Sequence, residues 1–494
     1  MATRRVSAMV ERATTLACDP SASDTGRLLT QAFEQIRTDL DVRQTFPDAA
    51  LAEVEQGVAA PELPERDETA LELITIDPPG SMDLDQAMHI TRDGEGYRVR
   101  YAIADVPAFL AEGGALDAET RLRGQTIYCP DTRVPLHPPA LSEEAASLLP
   151  DAVRPAYLWD MRLTAQGERS SAELYRAMVR SRRRYTYDEV QGLVDGGEAE
   201  ETLLLLKEVG ELRIAREIDR GGASLPMPEQ EVGVGEQCEY DLTLRPLLPA
   251  EDWNAQISLL TGMVAARIML DGGVGILRTM PEPTDGAVAR FRREVEALGA
   301  SWPEGMPYGE FLRTLDKGDT RHLAIVNAAT FLFRGAGYTA FDGELPPEDE
   351  QVQSAIAAPY AHVTAPLRRL VDRFGLAVCA ALSGGRDVPT WARAALPDLP
   401  DLMEETGRGA KAVDRACVTA VEAAVLSDRV GADFEAVVVD GVDGGRVRVQ
   451  LLDPPVSDVA TGSARLGSAV TVRVERADIL AGEVDLRIVG RDDG

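Results

Sequence analysis

The 494-residue sequence predicts an α+β protein in three parts. These are a small helical N-terminal domain over residues 1–68, a large domain of strands and helices over 69–427, and a small OB-type β-barrel over 428–494. Three observations predict it. Leu28-Leu29, Ala32-Phe33, Ile36 and Leu40 recur at helical spacing. Leu71, Leu73, Ile74 and Ile76 form an apolar run that reads as a buried strand. From about Asp428 the texture changes to short alternating strands around Gly-rich turns, the pattern of a small barrel.

In the first part, the helical pattern runs into a Pro/Glu-rich link beginning at Pro61, and the segment either touches a ligand or packs on the large domain. The strand that follows ends on Asp77, and Pro78-Pro79-Gly80 then turns the chain. Asp83, Asp85 and Gln86 come directly after. Three carboxylates and an amide oxygen at a strand end are hard ligands suited to Mg²⁺ or Mn²⁺. The alternative is a solvated acidic turn. Tyr97, Val99, Tyr101 and Ile103 then alternate as a second strand. Helices are expected over residues 200–219 and 250–270. In PYAHVTAPLRRLVDRFG, Pro366 is placed to open a helix whose first turn carries Arg368. His362, with no His or Cys partner, reads as a structural or hydrogen-bonding residue rather than a general base. In the last part, residues 434–456 form a hairpin pattern, and 470–474 and 484–488 add short strands.

Composition narrows the class. No stretch approaches the roughly 18 apolar residues of a membrane span, and the N-terminus carries no signal-peptide pattern. Five scattered cysteines (Cys18, Cys129, Cys238, Cys379 and Cys417) without a CxxC argue for a reducing, cytoplasmic setting and against structural zinc. The net charge of −31 argues against general attraction to nucleic acid, so any nucleic acid must be held in a locally positive channel. Arginines do cluster, in SRRRY around Arg184 and at Arg368-Arg369 with Arg373, while lysines are confined to Lys207, Lys317 and Lys411. Neither a Ser-His-Asp arrangement nor a phosphate loop is present, so no ATP-driven chemistry is expected.

TIDPPGSMDLDQA resembles the signature of the RNB family, the catalytic domain of ribonuclease II, ribonuclease R and their eukaryotic exosome relatives. The family pattern is T-x-D, five residues, then D-x-D-D. Asp77, Asp83 and Asp85 fall on its first three acidic positions, and Gln86 falls on the fourth, where the chain departs from the family. Residues 123–163 resemble the family's T-x-Y-x-P and P-x-x-P-x-x-L-S segments. SRRRYTYDEV resembles its next landmark, and residues 359–375 its Y-A-H-x-T-[SA]-P-[IL]-R-R motif.

The resemblance implies a mixed sheet surrounded by helices and a C-terminal OB-fold RNA-binding domain. The N-terminal segment is too short for the two cold-shock domains of longer members. Carried onto this chain, it implies a hydrolytic, processive 3′→5′ exoribonuclease acting on single-stranded RNA. Asp77, Asp83, Asp85 and Gln86 would hold Mg²⁺, with Asp85 and Arg368 catalytic. Tyr128 and Tyr187 would stack on bases, with Arg184, His362 and Arg369 along the RNA path. Further departures are Ser258, where the family often has Glu, and Leu225-Pro226-Met227, where a stacking Phe is common. These departures leave a non-catalytic RNA-binding protein as the alternative. A monomer is expected.

Overall fold

The computed structural model describes residues 6–8, 23–223, 225, 229–234, 240–245, 247–316, 320–442 and 444–491. Cys18, Pro226, Met227, Cys238 and Lys317 lie outside the described residues.

The central part is built on five strands: β1 (Leu73–Ile76), β2 (Gln86–Asp93), β3 (Gly96–Ala104), β4 (Val153–Leu163) and β5 (Arg169–Tyr185). They close into a barrel in the order β1-β2-β3-β4-β5. Neighbours along the chain pair antiparallel, and β1 closes on β5 in parallel, with Ile76 opposite Tyr185. The expected mixed sheet is therefore present in closed form. One face of β3 is apolar throughout, where Tyr97, Val99, Tyr101 and Ile103 join one core with Trp159 and Met161, while the other carries half-buried Arg98 and Arg100 before its apolar end. Ala102 and Ala104 face a second core with Leu73, Leu84 and Leu158. Closure removes the exposed edges that an open sheet would leave.

Helices surround this barrel. Helix α1 (Asp24–Asp39) is capped by Ser23, whose Oγ accepts from the Gly26 amide at 2.9 Å. Its Leu29 and Phe33 lie in a core shared with the C-terminal barrel. Helix α2 (Asp48–Ala59) instead buries Ala50 and Val54 beside Leu73 and Leu84. The two N-terminal helices thus pack on different parts of the molecule. Three more helices follow: α3 (Ala115–Arg123), α4 (Tyr187–Gly196) and α5 (Glu201–Asp219). Helix α4 opens on a reciprocal cap between Thr186 and Glu189, with bonds of 3.2 and 2.7 Å. Helices α6 (Pro249–Gly272), α7 (Leu370–Ser383) and α8 (Leu399–Ser427) complete the set used below.

One local expectation is corrected. Pro366 does not open a helix. Residues 366–368 form a turn, Arg369 is extended at φ −133° and ψ 124°, and α7 begins at Leu370. The cause is Asp372, fully buried, which accepts from the Ala365 amide at 2.7 Å and pairs with Arg369 at 2.8 Å. These contacts fold the chain back before the helix can start. Arg368 consequently lies in the turn and not in a helix.

The C-terminal part is a closed five-stranded barrel: β6 (Asp433–Val442), β7 (Arg446–Leu451), β8 (Ser457–Thr461), β9 (Ala469–Asp478) and β10 (Glu483–Arg491), in the order β6-β7-β8-β10-β9. Gly444 and Gly445 sit at φ 82° and 72° in the β6–β7 turn, a conformation that favours glycine. Strand β8 carries too weak an alternation to be read from sequence, and it enters the barrel by pairing with β7 and β10.

Candidate active site

The acidic loop is held as a rigid arch between β1 and β2. Gly80 adopts φ 85°, and the Ser81 amide bonds to the Pro78 carbonyl at 3.3 Å, closing a Pro-Gly turn. The Asp77 amide bonds to the Tyr185 carbonyl at 3.0 Å, which fixes the loop's entry to β5. Ser147 clamps the middle of the loop, donating to the Met82 carbonyl at 2.6 Å and accepting from the Leu84 amide at 2.9 Å. Arg184 donates to the Ser81 carbonyl at 2.6 Å. Leu84, fully buried, separates the two aspartates and pins the arch into the core.

The loop meets the turn from the far end of the chain. Asp85 is 4% exposed. Its Oδ1 accepts from the Leu367 amide at 2.8 Å, and its Oδ2 lies 3.4 Å from Arg368 Nε. Burial pushes the Asp85 carboxyl well above the usual range, opposed by the Arg368 charge and the Leu367 amide. Gln86 ties the same two segments: its Nε2 donates to the Thr364 carbonyl at 2.7 Å, and its Oε1 accepts from the Tyr101 hydroxyl at 2.5 Å. Thr364 is held again by Ser258 of α6, hydroxyl to hydroxyl at 2.8 Å. Ser258 therefore supports the turn that carries Arg368. Asp83 pairs at 3.0 Å with Arg133, which also reaches Glu143 at 2.8 Å.

The aromatic residues stand around this centre. Tyr128 is 39% exposed. Its hydroxyl is pushed up to about 12, first by loss of solvent and then by Asp83, with Arg368 opposing. Tyr187 begins α4 and accepts from Asn254 at 3.1 Å. Burial raises its hydroxyl too, and Asp77 adds to the effect. The structure thus brings Asp77, Asp83, Asp85, Tyr101, Tyr128, Tyr187 and Arg368 into one electrostatic neighbourhood. His362 and Arg369 belong to an adjoining cluster. His362 Nδ1 is 2.7 Å from the Tyr338 hydroxyl, and Arg369 is engaged by Asp372.

The donor types at the arch fit a hard divalent cation. Asp77 and Asp83 are half-buried and Asp85 is buried, and a cation would offset the desolvation that raises Asp85. Asp83 and Asp85 turn to guanidinium groups, and the Gln86 oxygen turns to Tyr101. Among the described residues no group of three or more His, Cys, Asp or Glu side chains is gathered closely enough to enclose an ion. Sequence reasoning missed Arg133, Tyr101, Thr364 and Ser147. Arg133, which pairs strand to strand opposite Tyr128, carried a detectable signal in its charge, whereas the other three act through contacts with residues 15 to 278 positions away in the chain.

The RNB domain family model matches residues 65–375, and the RNase II-type exonuclease C-terminal S1 domain matches residues 432–489. Ribonuclease R of Escherichia coli is 28% identical over 320 residues, covering 61% of this chain and 38% of that protein. Exoribonuclease 2 of Klebsiella pneumoniae is 25% identical over 423 residues, covering 81% and 64%. The chain thus spans less than two thirds of the length of these curated relatives. Among solved structures, Mycoplasma genitalium RNase R in complex with ribose methylated single-stranded RNA superposes with a TM-score of 0.83 at 17% identity, covering 94% of this chain and 78% of that one. Yeast Ssd1, a pseudonuclease, superposes with a TM-score of 0.68 at 16% identity, covering 90% and 58%. These two likenesses speak to fold.

Proposed function

The chain belongs to the RNB family, and on that premise we propose that it is a hydrolytic, processive, metal-dependent 3′→5′ exoribonuclease that degrades single-stranded RNA to nucleoside 5′-monophosphates. The observation that carries this reading is the junction of two segments 282 residues apart, where the Leu367 amide and the Arg368 guanidinium converge on Asp85. An acidic arch facing an arginine across a buried contact is an arrangement that can hold a phosphodiester between a cation site and a fixed positive charge.

In this reading Tyr128 and Tyr187 stack the terminal bases, a contact that tolerates any sequence. Arg368 binds the scissile phosphate and stabilises the charge that develops on it. Asp77, Asp83 and Asp85, with the Gln86 oxygen beside them, would hold Mg²⁺ or Mn²⁺. The bound cation would polarise the phosphate and ready a water for in-line attack. Asp85 is positioned for this by the Leu367 amide, and displacement of Arg368 from Asp85 toward phosphate would free it. Arg184 holds the arch, while His362 and Arg369 shape the adjoining wall of the RNA path. Preference for RNA over DNA would come from contacts to the 2′-hydroxyl. The division into domains 1–68, 69–427 and 428–494, a monomeric state, a cytoplasmic setting and independence from ATP belong to the same proposal. Among the described residues no helix is long and apolar enough to cross a membrane.

A second reading, a non-catalytic RNA-binding protein on this scaffold, is favoured by Gln86 and by the Arg133–Asp83 pair. The discriminating experiment incubates 5′-labelled unstructured RNA and its DNA counterpart with protein, in Mg²⁺ or EDTA, and sizes the products. Mononucleotide release from RNA only, and only with metal, is expected; intact RNA that still shifts in a binding gel would establish the second reading. Asp85→Asn should lose most turnover and keep most RNA affinity, and wild-type rates in that variant would remove Asp85 from the mechanism.

A further inference from the structure

The turn that carries Arg368 is held peptide by peptide. The Leu367 amide goes to Asp85, and the Arg369 amide returns to the Ala365 carbonyl at 2.9 Å. The Arg368 carbonyl accepts from the Thr126 amide at 2.9 Å, and the Leu370 amide donates to the Gly124 carbonyl at 2.9 Å. The segment that carries Tyr128 and Arg133 therefore runs alongside the arginine turn. The Leu367 carbonyl, in the peptide bond that enters Arg368, is met instead by a side chain. His137, just past the Arg133–Val134 strand, places its Nδ1 3.0 Å from that oxygen.

A carbonyl oxygen only accepts, so Nδ1 carries the proton and donates. The residue is 1% exposed, and its Nε2 has no hydrogen-bond partner among the described residues. The ring's one hydrogen bond is thus the one to Leu367. Burial pulls the imidazole down to about 3; the Leu367 carbonyl opposes this, and the Arg373 and Arg123 charges add to it. The ring is therefore neutral at physiological pH. Protonation would bury a second, unmet N–H close to two guanidinium groups. Leucine fills a similar volume without burying an unmet nitrogen, so packing alone does not account for an imidazole here.

We propose that His137 is a positioning residue for the phosphate clamp. Its Nδ1–H strut fixes the peptide plane that precedes Arg368, and with it the direction in which the guanidinium faces the acidic arch. This role rests on the nuclease reading, which supplies the task of Arg368, and adds the side chain that aims it. The strut also joins two parts of the site. His137 and Tyr128 lie on one segment, closed on itself where the Thr126 hydroxyl accepts from the Leu136 amide at 3.0 Å. The base platform and the phosphate clamp thus share one frame.

The test compares the full chain with His137→Leu and His137→Asn. Leucine removes the donor; asparagine keeps an N–H at the Nδ1 position but leaves a cavity where the ring was. On 5′-labelled unstructured RNA with Mg²⁺, His137→Leu should lose about tenfold or more in kcat. Its RNA affinity, measured in EDTA, should be unchanged. His137→Asn should recover most of the rate although its urea midpoint is no higher than that of His137→Leu. A packing role would not give rate and stability opposite orders. A second readout is independent of turnover. In protein labelled with ¹⁵N-histidine, the resonance missing from both variants should belong to an Nδ1-protonated ring. Wild-type protein that releases no mononucleotide would overturn the nuclease reading and this role with it. Active wild type with both variants slowed equally, RNA affinity lost in step with rate, or an Nε2-protonated His137 would overturn the positioning role alone.

Discussion

Gln86→Leu tests whether the amide at this position acts as a brace between the arch and the arginine turn. Gln86 makes two bonds, one to the Thr364 carbonyl and one to the Tyr101 hydroxyl. Tyr101 is fully buried and Thr364 is 2% exposed, so water cannot readily replace either bond. Leaving a buried polar group unmet costs about 1–3 kcal/mol, so the two together cost about 2–5 kcal/mol after allowing for the added apolar burial of leucine. With an m-value of about 3 kcal/mol/M, the urea midpoint should fall by roughly 1 M. Activity should fall too, because residues 361–368 lose their tie to β2 and Arg368 is no longer aimed at Asp85. The assay is urea unfolding followed by circular dichroism, paired with steady-state release of mononucleotides from labelled RNA. A midpoint within about 0.2 M of wild type, together with unchanged turnover, would refute the brace. Gln86→Asp is the informative companion, since it supplies a fourth carboxylate but is one methylene too short to span both partners.

Arg133→Gln should tighten Mg²⁺ binding about fivefold in calorimetry, because Asp83 and Glu143 lose a shared counter-charge in a partly buried setting; unchanged affinity would show that Arg133 does not compete with the cation. Asp105 is fully buried, and its carboxyl is pushed up to about 6, chiefly by burial and against the pull of Arg176. Because the folded value is raised, the stability it lends is complete below about 4 and is lost as the pH rises through about 6, by about 3 kcal/mol in all. Urea midpoints measured across that window should therefore decline in the wild type relative to Asp105→Asn, and parallel curves would contradict the assignment. Tyr128→Ala should weaken binding of a short RNA by about 1–3 kcal/mol, the worth of one stacked base. Equal affinity in a filter-binding assay would take Tyr128 off the RNA path.

Much of the molecule was written locally. The helical spacing from Leu28 to Leu40, the strand ending at Asp77, the Pro-Pro-Gly turn and the alternation of Tyr97 to Ile103 each depend on neighbours in the chain. All four are present in the structure. The C-terminal barrel was legible for the same reason, apart from β8, whose strand character comes from its partners rather than from its own residues. The acidic residues and Arg368 were recognisable because their motifs are contiguous.

What those residues do to one another was decided only by tertiary structure. Pro366 has the local credentials of a helix start, but a buried carboxylate at Asp372 folded the chain back and moved the start to Leu370. Gln86 is a ligand type by composition, and the fold gave its amide to Tyr101 and Thr364. Asp83 met Arg133 and Asp85 met Arg368 across 50 and more residues. Side-chain pairing over such separations depends on barrel closure and burial, which convert a weak preference for a partner into a requirement. No local pattern encodes that requirement. The sequence determined which chemical groups are available and the elements that carry them, while the closed barrel and its buried contacts decided how those groups are paired.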